Sequence, residues 1–383
     1  SMWVGAPGSG DTGAAYRFWA DGTGSGSERI APAEGSTFAG TMAVSDDVAV
    51  FGLPRADFGA GQASIFSAAD GEWAETARVM SEVESYEAVR GGEVECSGGE
   101  AAVFDCSEVD LVSFVPIHEM GGSRGVSTND VWGWTDPETG VEYALVGMRD
   151  AVSFVDVSDP ANPAYVGKLP MTPGARANAW RDMKVYADHM YVVADGAGQH
   201  GVQVFDLTRL RDFDGSPEVY EPDALYDGVA SVHNIVINED AAMAFAVGSR
   251  MGGETCGGGL HMIDISEPKH PTFAGCFADP QTGRASTGYS HDAQCVTYAG
   301  PDEEYRGREV CLGANETALS IADVTDEGNP VAIARASYPN VGYSHQGWLS
   351  EDHRYFYMND ELDELQGKVD STRTLVWDLA ELE

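Results

Sequence analysis

A short polar slot returns five times along the chain, and its spacing constrains the fold more than any other feature. Tyr289-Ser290-His291-Asp292-Ala293-Gln294 has a close copy in Tyr343-Ser344-His345-Gln346-Gly347-Trp348. Looser copies read Ser231-Val232-His233-Asn234-Ile235-Val236, Trp180-Arg181-Asp182-Met183-Lys184-Val185 and Thr128-Asn129-Asp130-Val131-Trp132-Gly133. The slots at 129, 181, 233, 291 and 345 lie 52, 52, 58 and 54 residues apart. Such a period means a repeat architecture, in which each unit buries its apolar face only by stacking on a neighbour.

Each unit continues from the slot through three or four short apolar runs without helical period, the pattern of a four-stranded blade. The third run ends in an apolar-apolar-Asp-apolar signature: Phe154-Val155-Asp156-Val157, Val204-Phe205-Asp206-Leu207, Met262-Ile263-Asp264-Ile265, Ile321-Ala322-Asp323-Val324 and Val376-Trp377-Asp378-Leu379. The Asp is expected to cap the following turn with its carboxylate on backbone N–H groups. The reading is therefore all-β: one β-propeller domain over 1–383, seven-bladed with eight as the alternative, closed by mixing N- and C-terminal strands. Upstream, Gly92–Cys96 and Ala101–Cys106 read as a hairpin. Gly121-Gly122-Ser123-Arg124-Gly125 fits Gly-x-Ser-x-Gly but lacks the strand before and helix after that a nucleophile elbow needs, so it reads as a linker turn.

Val152-Ser153-Phe154-Val155-Asp156-Val157-Ser158-Asp159-Pro160 resembles the LVIVD repeat. The order of slots, with Cys256-Gly257-Gly258-Gly259-Leu260-His261 between them, resembles the choice-of-anchor B family of bacterial surface proteins, over 86–383. Residues 1–85 are similar to FG-GAP blades, carried by Val4-Gly5-Ala6-Pro7 with Gly13–Phe18 and by Phe51-Gly52-Leu53-Pro54 with Gly61–Phe66. The Asp-rich calcium loop common in FG-GAP blades is not evident in either copy. The resemblance implies an extracellular or surface-attached location and supplies no activity.

Acidic residues number 62 against 22 Lys plus Arg, a formal charge of −40. Such a surface repels phosphate backbones and anionic lipid, so nucleic acid is not an expected partner. The six cysteines form three local pairs, Cys96 with Cys106, Cys256 with Cys276 and Cys295 with Cys311, and no Cys-x-x-Cys. That favours disulfides over zinc, and disulfides favour an exported protein. No apolar run reaches the roughly 18 residues of a membrane span. Ser1-Met2 reads as a remnant ahead of a trimmed fragment, so a signal or anchor is expected outside it. The chain is expected to be a monomer.

If the innermost strands line a channel, Asn129, Arg181, His233, His291 and His345 face one another there. Asp130, Asp182, Asn234, Asp292 and Gln346 form a second tier, and strand alternation lets one residue of each pair point fully inward. His233, His291 and His345 could hold a divalent transition metal, with Asp292 completing the set. The structural alternative is that these rings bond carbonyls of neighbouring blades. Arg181, held by Asp182 and flanked by Asn129 and Asp130, could grip an anionic ligand. Asp212-Phe213-Asp214-Gly215 with Glu218 is a short calcium-loop candidate, read as a solvated turn, and Asn359–Glu364 is an acidic run. Trp132, Trp134, Trp180 and Trp348 suit blade packing or stacking on a sugar. Three functions are open: a binding module for a small molecule, glycan or protein at the channel mouth, a metal-dependent enzyme using the three histidines, and a scaffold.

Overall fold

The computed structural model describes residues 1–9, 13–21, 24–32, 38–69, 72–83 and 85–383. The backbone is all-β, and the helical pieces among the described residues are short 3-10 turns. It forms two compact units, Ser1–Val89 with Phe114–Ser127, and Arg90–Ser113 with Thr128–Glu383.

Among its described residues, the smaller unit carries two antiparallel sheets. Met2–Ala6, Ala14–Asp21 and Gly24–Ile30 form one, and Met42–Val44, Val48–Leu53, Gln62–Ala69 and Glu72–Val79 form a four-stranded meander. Phe38, Phe51 and Phe66 meet in its core, with Phe38 and Phe51 ring centroids 4.6 Å apart. The Gly-x-Ser-x-Gly stretch follows a 3-10 turn, Ile117–Met120, and runs as turns through Gly121 and Gly125, both at positive φ. Ser123 has none of the geometry of a nucleophile elbow.

The larger unit is built on five main sheets beside two short two-stranded ones, and the five are antiparallel except where Ala164–Pro170 pairs in parallel with Glu218–Val219. Their first strands are Thr128–Thr135, Arg181–Tyr186, Asn234–Asn238, Asp292–Thr297 and Ser344–Leu349. Each first strand packs against the first strand of the next sheet, which places the slots side by side. The second strands of the second, third and fourth of these sheets are nearly continuous apolar runs because they are buried on both faces, whereas in the fifth, Tyr355–Asp360, burial alternates. Along His189–Ala194, Met190 and Val192 enter one apolar cluster while Tyr191 and Val193 enter the next. Phe245 and its neighbour Ala244 are divided in the same way, as are Leu312 and Cys311. Sheets stacked face to face through shared cores are the blades of a β-propeller-type fold.

The repeated Asp is structural in all five sheets. Asp156, Asp206, Asp264, Asp323 and Asp378 each accept, through Oδ1, the N–H two residues on, at 2.9, 3.1, 2.8, 3.0 and 3.0 Å. The three expected disulfides are present. Cys295 and Cys311 sit opposite each other on adjacent strands of the fourth sheet. The hairpin read over Gly92–Cys106 shrinks to Glu100–Ala101 with Phe104–Asp105, plus single bridges at Ser97–Glu100 and Val94–Leu111. Glycine and charge dominate that segment, so the disulfide supplies constraint that packing does not.

Two measurements check this account. The bridges span separations of 10, 20 and 16 residues, so losing any one should cost about 3 kcal/mol in denaturant melts of the paired Cys→Ser variants. Glu309 is buried beside Asn238, whose Nδ2 donates to Oε1 at 2.8 Å. Burial pushes its carboxyl up from 4.5 to about 7. The fold therefore favours the protonated form, and stability from this group falls as pH rises from the unfolded value through about 7. Glu309→Gln should stabilise at pH 8 relative to pH 5, on the order of 1 kcal/mol after solvent screening.

Candidate metal and ligand cavity

The first strands of the larger unit open at one end onto a cavity of about 1260 Å³. The slots line it because each begins a first strand, and the side-by-side packing of those strands brings residues more than 50 positions apart in sequence to one place.

Three imidazoles stand in a row. Ring centroids of His233 and His291 are 4.1 Å apart, and those of His291 and His345 are 4.4 Å apart. His291 Nδ1 donates to the His345 carbonyl oxygen at 3.0 Å. A carbonyl can only accept, so Nδ1 carries the proton and Nε2 keeps its lone pair. His233 Nδ1 lies 3.0 Å from Asp195 Oδ2, and an ionised carboxylate imposes the same tautomer. Gly248 makes room for this ring, since a Cβ there would meet His233 Cβ at 2.5 Å. His291, His345 and Glu361 each offer a ligand atom within 4.8 Å of the others.

Burial, reinforced by the charges of His233 and His345, pushes His291 down to about 3, and burial also lowers His345. Neutral imidazoles are the form that binds a metal. Burial works against the charge of Asp195, but the His233 hydrogen bond and charge and the Gly196 N–H together hold it below the usual carboxylate range.

The second tier is acidic. Asp130, Asp182 and Asp292 each accept, through Oδ1, the N–H of the next residue at 2.8 Å. Asp182 also accepts from Lys184 Nζ at 2.7 Å and, through Oδ2, from the Ile235 N–H of the next sheet at 2.8 Å. Burial and then the neighbouring Asp182 raise Asp130 to about 6 and Asp292 to about 7. Asp292 is thus an acid among acids, and the carboxylate that joins the histidines is Glu361.

Residues 142–169 and 256–279 match the LVIVD repeat. These LVIVD segments cover the later strands of the first and third sheets, including the Asp156 and Asp264 turns. No curated protein matches the chain. Among solved structures, it is similar to a functionally unknown protein from Desulfotomaculum acetoxidans, at 11% identity and TM-score 0.42, covering 82% of this chain and 75% of that one. It is also similar to the β-propeller domain of Cps50 (Swd1) from Myceliophteria thermophila, at 13% identity and TM-score 0.38, covering 66% and 73%.

The structure places the remaining candidates differently from the sequence reading. Arg181 is 1% exposed; its Nε and Nη1 are engaged inside the protein, while Nη2 is buried without a hydrogen-bond partner among the described residues. Its Nε donates to the Met148 carbonyl at 2.9 Å, and its Nη1 lies 2.8 Å from His200 Nε2. Burial lowers it to about 10 and lowers His200 to about 4, which leaves His200 a neutral acceptor. Asp182 holds Lys184 at 2.7 Å, so the expected pairing of Asp182 with Arg181 does not form. Asn129 Nδ2 donates to the Arg181 carbonyl at 2.8 Å, as Asn234 Nδ2 does to that of His291 at 3.1 Å. These slot amides staple one first strand to the next.

Trp134 is buried in the core, whereas Trp132, Trp180 and Trp348 line the cavity. Lys184 Nζ lies 4.3 Å from the centroid of the Trp132 ring. Asp214 caps a local turn through the Ser216 N–H. In the acidic run Asp360 is consumed by backbone N–H groups and Asp363 by Arg373, which leaves Glu361 facing the histidines. Asp195 had no sequence signal, because nothing local marks the residue after a strand as the partner of a histidine 38 positions on. Replacing Arg181 by Ala strips donors from Met148 and His200, and should lower stability by about 2–4 kcal/mol in denaturant melts.

Proposed function

We propose that this protein is an exported β-propeller binding module whose cavity is organised by one divalent transition-metal ion. His291 and His345 would bind it with Glu361, and His233 beside them would be aimed by Asp195. The observation that carries this reading is the convergence of His291, His345 and Glu361 donor atoms within 4.8 Å. Supporting it, the hydrogen bonds of His233 and His291 occupy Nδ1 and leave Nε2 for a metal, the arrangement in which an outer carboxylate or carbonyl orients a ligating imidazole. Borderline ions such as Zn²⁺ suit two imidazoles and a carboxylate, and such a set leaves a position for an external ligand.

The exposed Trp180 and Trp348 rings beside the cavity suit a small molecule or glycan in that position. Export is supported by three disulfides. A seven-bladed ring closed by both chain ends belongs to the same proposal.

Elemental analysis of the purified protein tests the metal directly. About one equivalent of metal is expected in wild type, with His291→Ala and Glu361→Gln each weakening it at least tenfold and leaving the circular dichroism unchanged. Full metal content in His291→Ala, or none in wild type after incubation with Zn²⁺, Cu²⁺ and Mn²⁺, overturns the reading.

A further inference from the structure

A second cleft of about 490 Å³ opens beside the histidine cavity, and Arg250 and Tyr289 line both. The charged residues of its lining are Arg250, Arg284 and Glu316. This local positive balance runs against a chain with 62 acidic residues and 22 Lys plus Arg.

Each guanidinium lies over a buried tyrosine: Arg250 is 4.4 Å from the Tyr289 ring centroid and Arg284 4.6 Å from that of Tyr343. Stacking uses the flat face of a guanidinium and leaves its N–H edge for in-plane hydrogen bonds. Arg284 spends one such bond, from Nη2 to the Gly342 carbonyl at 2.6 Å. Glu316 Oε2 accepts the Arg284 backbone N–H at 2.7 Å, while Oε1 forms a longer ion pair with Arg250 Nη2 at 3.8 Å without a hydrogen bond. The Arg250 side chain is 63% exposed.

Hydroxyl groups complete the lining. Ser249 is 1% exposed and its Oγ has no hydrogen-bond partner, and Thr255 and Thr287 line the same cleft. Leaving a buried hydroxyl unmatched costs free energy that an incoming acceptor can recover.

We propose that this cleft binds a phosphate group, as the free ion or as a monoester. Two guanidinium edges and three hydroxyls exceed what the two oxygens of a carboxylate can accept, whereas the tetrahedral oxygens of a phosphate suit them. Distant acidic residues weigh little here, because at physiological salt charges beyond about 8 Å are largely screened. The site stands apart from the metal proposal, although Arg250 would bring a phosphate-bearing ligand to the rim of the histidine cavity.

Calorimetric titration with inorganic phosphate and with glycerol 3-phosphate, on both metal-stripped and Zn²⁺-loaded protein, decides the matter. Binding is expected in both states, about tenfold weaker or worse in Arg250→Gln and in Arg284→Gln, and unchanged in His291→Ala. Ser249→Ala should weaken it about threefold and carries the test if an arginine variant fails to fold. Tighter binding of the ester would mark the cleft as a site for a phosphorylated small molecule, and tighter binding of the free ion as a site for phosphate itself. No heat up to about 10 mM ligand overturns the proposal. So does equal affinity in Arg250→Gln, binding that needs the metal, or tighter binding of succinate than of phosphate.

Discussion

The larger unit depends on strands that are buried on both faces. Side chains alternate across a strand, so Met190 and Val192 enter one core while Tyr191 and Val193 enter the next. The second, third and fourth sheets can bury both faces of these strands only with a sheet on either side, and a one-residue slip would exchange the two cores. The Asp at the end of each third strand has a smaller task. It turns the chain outward by accepting the N–H two residues on, so that the fourth strand can return along the edge.

Adjacent sheets also need fixing at their first strands, and the slot residues supply it. Asn129, Asn234 and His291 each donate a side-chain hydrogen bond to a carbonyl of the neighbouring sheet. This is the structural role that competed with metal ligation, and the geometry lets His291 serve both. One imidazole nitrogen secures the fold and the other keeps its lone pair facing the cavity. The acidic tier adds charges that burial and mutual repulsion oppose, which is why Asp130 and Asp292 hold protons more tightly than an exposed carboxyl. A cation near that tier would relieve the repulsion.

Arg181 and Arg250 show how little residue type says about role. Arg181 occupies a slot, yet alternation turns its side chain inward to Met148 and His200. Arg250 lies outside any slot, on the edge of a loop, laid over Tyr289 and bordering both cavities. The buried arginine acts as a strut between strands, and the anion site we propose rests instead on the more exposed one.

Repeat length, the all-β class, the starts of the five main sheets in the larger unit, the Asp turns and the three cysteine pairs were legible in the sequence. Each is a local pattern, set by strand periodicity, turn chemistry or proximity along the chain. His233, His291 and His345 were legible as equivalent positions for the same reason. Tertiary structure alone decided which carboxylate meets them: Asp292 adjoins His291 in sequence, but its side chain belongs to the other tier, whereas Glu361 and Asp195 arrive from second strands or the turns after them. It also decided that Asp182 serves Lys184 and that Arg181 is buried. Sequence spacing determines which residues occupy corresponding places in each sheet, while the partners across sheets depend on how strands pack side by side, and that contact has no signature within any one repeat.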